Sequence, residues 1–145
     1  MSNLPFTSRS LPIALIRARE GVMAPIRDML SETGITEQQW RVLRVLREHG
    51  PQDSSTLARR ACLLFPSLTR ITQTLRKKGL ISQTRVAEDK RRQMIEITPA
   101  GDQIIQDNLE RASAIVVEFQ ETLGIEKYEQ LLDLLALLDP ENPDT

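Results

Sequence analysis

Residues 66–81, PSLTRITQTLRKKGLI, decide the fold that this sequence predicts. Pro66 suits the first turn of a helix, because its missing N–H has no intrahelical partner to lose there. Apolar residues then recur at helical spacing, at Leu68, Ile71 and Leu75. Two lysines and Gly79 follow, where the end of a helix favours cations and glycine. The stretch therefore predicts an amphipathic helix that ends near residue 78.

The outer face of this helix carries side chains suited to reading DNA. It presents two hydroxyls, a guanidinium and an amide, on Ser67, Thr69, Arg70 and Gln73. Arginine can contact both acceptors of guanine, glutamine can pair with adenine, and hydroxyls can bind phosphate. We expect these four residues to bind DNA, although the pattern taken alone also fits a plain amphipathic surface helix.

The residues upstream of this helix predict a helix-turn-helix. Asp53 or Ser54 can cap a short helix that contains Leu57 and Ala58, and residues 63–65 form a turn before the second helix. Two short helices joined by a tight turn, with the second free to enter the major groove, are what this motif requires.

The residues downstream predict a β-hairpin, or wing. Residues 80–86 and 93–97 are β-like, and a polar turn at residues 87–92 joins them. The turn contains Lys90, Arg91 and Arg92, which we expect to lie over the minor groove, because narrow minor grooves attract cations. A merely solvated turn is the alternative.

Further helices flank this unit on both sides. Apolar periodicity predicts helices at residues 11–30, 102–123 and 126–138, the long one introduced by residues 98–101. It also predicts a helix that a capping box of Thr36 and Gln39 opens and that stops at Gly50. The predicted fold is mainly α, an α+β winged helix-turn-helix with flanking helices that form a dimerisation unit.

The division along the chain follows from the apolar stripes. Residues 36–98 form the winged helix-turn-helix unit, and residues 11–35 and 99–139 supply the dimerisation helices. Their stripes are too long for the winged unit to cover, so we expect a homodimer. Folding back of these helices within one chain is the alternative.

Composition indicates one globular domain without membrane or metal chemistry. The chain has 145 residues, of which 40% are hydrophobic, 27% charged and 3% aromatic. It has no apolar run long enough to span a membrane and no signal-peptide pattern, so we expect a cytoplasmic protein with no membrane partner. One cysteine and one histidine predict neither a disulfide nor a metal site, and we expect no cofactor.

No motif in the sequence predicts an enzyme. There is no glycine-rich phosphate loop, no nucleophile–histidine–acid set and no HExxH motif, and His49 is the single histidine. We therefore expect no catalytic residues, and His49 is interpreted as an exposed helix end.

The net charge of −1 hides a strong asymmetry along the chain. Residues 41–92 carry thirteen basic and four acidic side chains, whereas residues 93–145 carry two basic and twelve acidic ones. A basic segment followed by an acidic one predicts that the basic segment meets a polyanion. A winged helix that binds protein instead of DNA is an alternative, but protein interfaces are usually poor in lysine and charge.

The order of these motifs resembles the MarR family of transcription regulators. The resemblance rests on Trp40-Arg41-Val42-Leu43, Leu57-Ala58, Ser67-Leu68-Thr69-Arg70, Lys78-Gly79-Leu80-Ile81, Asp89-Lys90-Arg91 and Ile97-Thr98-Pro99-Ala100-Gly101. It implies an obligate dimer whose recognition helices enter successive major grooves of a pseudo-palindromic operator. The wings would then touch the flanking minor grooves. Most members are repressors that a small phenolic or other ligand releases from DNA.

Three further segments resemble regulators of homoprotocatechuate-type catabolic operons within that family, namely residues 18–20, 36–41 and 60–69. This implies a repressor of aromatic-compound catabolism, with 4-hydroxyphenylacetate or 3,4-dihydroxyphenylacetate as candidate effector. The chain departs from that subgroup at residues 23–26, where bulkier aromatic side chains are expected. The effector can therefore differ, and the sequence does not distinguish a repressor from an activator.

Four residues are candidates for the effector site. Arg17, Arg19 and Arg41 supply cations and Trp40 an apolar wall, where the flanking helices are expected to meet the reading unit. The alternative for each is structural, with Trp40 in the core and the arginines in ion pairs. Cys62 is a candidate redox switch, but its apolar turn favours a buried, packed thiol.

Overall fold

The computed structural model describes residues 3–86 and 88–141, except for the side chains of residues 89–91. A short 3-10 helix, Thr7–Arg9, precedes six α-helices and three strands in this part of the chain. These elements are α1 (Leu11–Leu30), α2 (Glu37–His49), β1 (Gln52–Asp53), α3 (Ser54–Arg60), α4 (Phe65–Lys77), β2 (Ile81–Val86), β3 (Asp89–Ile97), α5 (Pro99–Leu123) and α6 (Ile125–Leu138). The predicted class, a mainly α fold with a small sheet, is confirmed.

Side-chain caps fix the starts of α2 and α3. Thr36 Oγ1 accepts from the Gln39 amide at 3.1 Å, and Gln39 Oε1 accepts from the Thr36 amide at 3.1 Å. Asp53 Oδ1 accepts from the Thr56 amide at 2.8 Å, so Asp53 is the cap of α3. Each cap satisfies an amide that has no partner inside its helix. The predicted starts of both helices are confirmed.

The three strands form one antiparallel sheet in the order β1-β3-β2. β2 pairs with β3 as far as Val86 opposite Asp89, and Gln52 of β1 lies opposite Ile95 on the other edge of β3. The predicted hairpin is confirmed, but its predicted turn is wrong, because residues 89–92 belong to β3. Backbone pairing sets the length of a strand, and a solvated hairpin tolerates charged side chains on both faces.

The core lies between the helices α2, α3 and α4 and the sheet. Its most completely buried side chains come from all of these elements, and α1 adds one at its C-terminal end: Met29, Val42, Leu43, Leu46, Leu57, Leu68, Leu75 and Ile95. Burial of one such side chain contributes about 1.5–3 kcal/mol relative to exposure. These contacts hold α4 in place from behind and leave its outer face to solvent.

The start of α5 packs directly against the backbone that leads into β2. Gly101 is buried, and a Cβ at this position would overlap the carbonyl oxygen of Leu80 and lie 2.8 Å from Ile97 Cγ1. Thr98 Oγ1 donates to the carbonyl of Gly79 at 2.7 Å, and the Thr98 amide donates to that of Leu80 at 3.1 Å. Only glycine fits at this contact, which fixes α5 relative to the wing.

The flanking helices leave much apolar surface uncovered in one chain. α6 has no buried residue, and α1 buries only Met29 and Leu30. Large exposed apolar side chains on α1, α5 and α6 include Leu11, Leu15, Ile16, Val22, Leu109, Val116, Val117, Leu123, Ile125, Leu131, Leu132, Leu134, Leu135, Leu137 and Leu138. In the described ranges, none of the helices combines the length and hydropathy that a membrane span requires.

Candidate nucleic-acid interface

The solvent-facing side of α4 carries most of the predicted DNA-reading residues. Thr69, Arg70 and Gln73 are exposed, while Ser67 is half-buried. No hydrogen bond or ion pair joins the side chain of Arg70 or Gln73 to another residue whose side chain is described. Thr69 Oγ1 donates to the Phe65 carbonyl at 3.2 Å, which leaves its lone pairs open. These donors and acceptors are therefore available to a ligand.

A groove of about 740 Å³ runs between α4, the start of α3 and the wing. From α4 it is lined by Phe65, Leu68, Thr69, Thr72, Gln73 and Arg76, and from the other elements by Asp53, Ser54, Ser55, Thr56, Gln83, Arg92 and Gln93. The structure thus brings Thr69, Gln73 and Arg92 around one groove. Ser67 and Arg70 do not line it, because their positions on a 100° helical wheel lie toward the far side of α4.

Among the side chains that the structure describes, two polar contacts hold the wing against the helices. Arg76 Nη1 donates to Gln83 Oε1 at 2.7 Å, joining α4 to β2. Arg92 Nη2 donates to Asp53 Oδ2 at 3.2 Å, joining β3 to the cap of α3. Arg92 is a predicted DNA ligand and its side chain is still 59% exposed, so it can pair with Asp53 and meet a phosphate. The sequence did not single out Arg76.

Asp53 is the negative charge that anchors this arrangement. The backbone N–H of Thr56 is the main cause that lowers its pKa below the ordinary value of 3.8, and the hydrogen bond and charge of Arg92 lower it further. The carboxylate is therefore ionised at neutral pH and holds the start of α3 and the wing together. The predicted DNA contacts of Lys90 and Arg91 fall on side chains outside those described.

An apolar pair lies at the N-terminal end of α4. Leu64 is 78% exposed and Phe65 is 54% exposed, and Phe65 also lines the groove. The sequence predicted a turn here, whereas α4 already begins at Phe65. The pair was not identified as functional, because two apolar residues before a proline look like ordinary core residues.

Cys62 differs from its expected environment. It was predicted to be buried, which is wrong: Cys62 is exposed and its backbone is left-handed, with φ 56°. Ala61 takes the buried position instead, with no exposed surface. α3 ends at Arg60 and the chain turns at Cys62, so that Ala61 and not Cys62 meets the core.

None of the four predicted effector residues lines the groove beside α4, the cavity beside Glu37 or the cavity between α2 and α5. Trp40 is 7% exposed and belongs to the core, and Arg17 is exposed on α1. Arg19 Nη2 lies 3.1 Å from Glu37 Oε1, so it pairs inside the protein. Arg41 is half-buried, and its Nε is buried without a hydrogen-bond partner in the described part of the chain.

Glu37 connects α1 to α2 through two arginines. Besides its pair with Arg19, Glu37 Oε2 lies 3.7 Å from Arg27 Nε, and Arg27 Nη1 donates to Glu20 Oε1 at 2.5 Å. The hydrogen bond with Glu20 raises the pKa of Arg27. A cavity of about 400 Å³ beside this network is lined by Arg27, Leu30, Ser31, Gly34, Ile35, Thr36 and Glu37.

Another cavity lies where α2 meets α5. It measures about 370 Å³ and is lined by Arg44, Arg47, Glu48, Ile105 and Leu109. Arg47 Nε pairs with Asp102 Oδ1 at 3.2 Å, and Arg47 Nη1 is buried without a hydrogen-bond partner in the described ranges. Arg44 and Arg47 were missed as effector candidates, because sequence periodicity does not show which part of α5 packs on α2.

Comparisons with known proteins agree with this geometry. The MarR family model matches residues 35–92. The HTH-type transcriptional regulator FarR of Neisseria gonorrhoeae is 40% identical over 129 residues, which cover 89% of this chain and 88% of FarR. The homoprotocatechuate degradative operon repressor of Escherichia coli is 35% identical over 126 residues, covering 87% of this chain and 85% of the repressor.

Two solved structures extend the comparison to ligands. The complex of NadR with 4-hydroxyphenylacetate is 38% identical with a TM-score of 0.80, covering 95% of this chain and 97% of NadR. The transcriptional repressor CouR bound to a 23-mer DNA duplex is 26% identical with a TM-score of 0.77, covering 94% of this chain and 99% of CouR. Both similarities extend over nearly the whole chain, so they include the flanking helices as well as the winged unit.

Proposed function

Because this chain belongs to the MarR family of transcription regulators, we propose that it represses an aromatic-compound catabolic operon as a homodimer that a small phenolic ligand releases from DNA. The observation that carries the proposal is the exposed polar face of α4 beside the groove, within a segment of residues 41–92 that has nine more basic than acidic side chains. A duplex with one phosphate charge per 1.7 Å of axis is the partner that such a surface fits.

The reading helix enters the major groove in this proposal. Arg70 and Gln73 contact base edges, while Ser67 and Thr69 hold the phosphates beside them. The wing lies over the adjacent minor groove, where Lys90, Arg91 and Arg92 are the proposed contacts. Two recognition helices related by a two-fold axis read half-sites roughly 10 base pairs apart.

The dimer is proposed on the uncovered apolar surface of α1, α5 and α6. Most of that surface belongs to residues 11–35 and 99–139, the proposed dimerisation segments, while residues 36–98 form the proposed DNA-binding unit. Leu135→Glu places a charge in the exposed apolar face of α6, so we expect monomers with weak operator binding by sedimentation and gel shift. The exposed-surface variant Glu129→Ala is the matched control. A Leu135→Glu protein that remains dimeric would remove α6 from the interface.

The effector is proposed to bind where the flanking helices meet α2. A phenolate or carboxylate needs a cation in a largely apolar cleft, and the cavity between α2 and α5 combines Arg44 with Ile105 and Leu109. The sequence candidates Arg17, Arg19, Trp40 and Arg41 stay proposals for its surroundings. Such a ligand binds more tightly to a dimer whose recognition helices are wrongly spaced for the operator. The difference between its binding free energies for the two forms of the dimer sets how much operator affinity falls.

A titration of promoter DNA against a scrambled duplex tests the function. We expect affinity to fall steeply with salt, and the promoter to be preferred by about a thousandfold or more. Arg70→Ala should lose about 1–3 kcal/mol of binding free energy and relax preference at one base pair. The control Arg111→Ala also removes one positive charge, but from α5 instead of α4. It should change neither the affinity for the operator nor the preference at that base pair. Equal, weak binding to both duplexes would refute the regulator and favour a protein-binding winged helix.

Redox sensing through Cys62 is a second candidate, favoured by the exposure of its thiol just before the reading helix. Oxidation of this thiol to a sulfenic acid by peroxide would then weaken operator binding. Wild-type protein and Cys62→Ser are compared in a gel shift before and after peroxide treatment. Identical behaviour of the two proteins would exclude the switch.

A further inference from the structure

The apolar pair Leu64–Phe65 keeps most of its surface in contact with solvent. The remaining large apolar side chains of α4 are buried, at Leu68, Ile71 and Leu75, whereas Leu64 and Phe65 keep 78% and 54% of their surface in contact with solvent. Leu64 is the N-cap residue of α4, and its side chain makes no capping hydrogen bond. The pair therefore contributes little to the core or to the start of the helix.

The position of the pair is continuous with the proposed DNA-reading face. Phe65, Thr69 and Gln73 are spaced four residues apart, so they follow one another along the same side of α4, and all three line the groove. Phe65 is the first residue of the helix. The N-terminal residues of a recognition helix are the ones that contact base edges in the major groove.

The charge around the pair selects the kind of partner. Arg59 and Arg60 at the end of α3 and Arg70 on α4 are exposed. An exposed apolar pair on helices that also carry exposed arginines suits a polyanion better than an apolar protein surface, because core positions of protein interfaces are depleted in charge. The major groove of DNA offers one apolar group to such a pair, the C5-methyl group of thymine.

We propose that Phe65, with Leu64 beside it, contacts thymine methyl groups at the edge of each operator half-site and so makes this regulator specific for thymine at that position. The inference rests on the proposed function and adds a determinant of specificity to it. Arg70 and Gln73 read hydrogen-bonding groups, whereas Phe65 reads the presence of a methyl group. The two kinds of recognition can be separated by changing the DNA instead of the protein.

Replacement of thymine by 2′-deoxyuridine removes the methyl group and keeps the base pair. Each symmetric pair of thymines in the operator is replaced in turn, and binding of the full-length protein is measured by fluorescence anisotropy. At one pair of positions we expect the affinity of the wild-type protein to fall about fourfold per half-site and about fifteenfold in total. This is the effect of losing about 0.8 kcal/mol for one buried methyl group in each half-site.

Three variants assign that loss to Phe65. Phe65→Ser should bind the thymine and deoxyuridine operators equally, while Phe65→Leu should keep a preference for thymine. Gln73→Ala is the matched control on the same side of α4, and it should bind more weakly but retain the full methyl effect. Since Phe65 is half exposed, these changes leave the core intact, which unchanged far-ultraviolet circular dichroism and Tm would verify.

Three results would overturn the inference. One is the absence of any position at which deoxyuridine weakens wild-type binding. A second is a methyl effect that persists unchanged in Phe65→Ser. The third is full operator affinity of Phe65→Ser, which would point to another partner for the pair. Failure of the proposed function is distinguishable, because wild-type protein would then not prefer the promoter to scrambled DNA at all.

Discussion

Replacement of Gly101 by alanine tests whether α5 is locked onto the wing. The added Cβ would overlap the carbonyl oxygen of Leu80 and lie 2.8 Å from Ile97 Cγ1. Backbone atoms cannot move aside as a flexible side chain does, so either α5 or the backbone at Leu80 must shift. That shift would also stretch the 3.1 Å hydrogen bond from the Thr98 amide to Leu80.

The expected loss combines two opposing effects. Overpacking of a well-filled contact costs about 1–3 kcal/mol. The higher helix propensity of alanine offsets part of this loss of stability, because alanine is more favourable than glycine in a helix by up to about 1 kcal/mol. We expect the free energy of unfolding to fall by about 1–2 kcal/mol, and Tm by about 3–6 °C for a chain of this length.

Urea unfolding followed by circular dichroism measures this loss, at one protein concentration because the stability of a dimer depends on concentration. The control is Ala100→Gly, which changes helix propensity at the adjacent exposed position without any steric contact. Hydrogen exchange at the Thr98 amide should be faster in Gly101→Ala than in the wild type. A Gly101→Ala protein as stable as the wild type would refute the close contact between α5 and Leu80.

Two further predictions concern the helix caps. Asp53→Asn keeps a capping side chain but loses the charge opposite Arg92. The pKa of Asp53 is lowered in the folded protein. The ionised carboxylate therefore contributes its full stability to the fold above the ordinary pKa of 3.8, and this stability is lost as pH falls through the lowered pKa. Wild type should thus be the more stable at pH 7, and urea titrations should show this advantage shrinking towards pH 2; a constant difference would contradict the role of the charge. Thr36→Ala should cost about 0.5–2 kcal/mol of unfolding free energy, whereas Thr36→Ser should be nearly neutral in thermal melts; equal losses in both would mean that the capping hydroxyl contributes nothing.

The helices could be predicted because their signals are local. The cap of α2 joins Thr36 to Gln39 and the cap of α3 joins Asp53 to Thr56, so both fall within three residues of sequence. The inner stripe of α4 repeats every three or four residues for the same reason. Such patterns depend on the geometry of one helix and need no knowledge of what packs against it.

The links between elements could not be predicted in the same way. Arg92 and Asp53 are 39 residues apart, and no local rule pairs them. The strand β1 has two residues, too few for an alternating pattern, and exists because it pairs with β3. The charged start of β3 reads as a turn by composition, yet pairing with β2 makes it a strand.

The candidate effector site also combines features that depend on local sequence with features that depend on distant contacts. Arg17, Arg19 and Trp40 lie on helices at the expected junction, but the side that each helix presents depends on its neighbours. Trp40 points into the core and Arg19 pairs with Glu37, whereas Arg44 reaches a cavity together with residues of α5. The sequence contains the residue types that a phenolic ligand would need, but which of them share a cavity depends on how α5 packs on α2.

The lack of any buried residue in α6 has a consequence for the order in which the protein folds. A helix of 14 residues is marginal in water by itself, so α6 gains its stability only when another apolar surface covers it. The winged unit, whose core is complete within one chain, can form in a first-order step. In the proposed homodimer, completion of α6 then depends on encounter between subunits, so its amides should exchange with solvent rapidly in freshly made chains and slowly after assembly. Newly synthesised protein would thus be most exposed to proteolysis at α6 when the concentration of the protein is low.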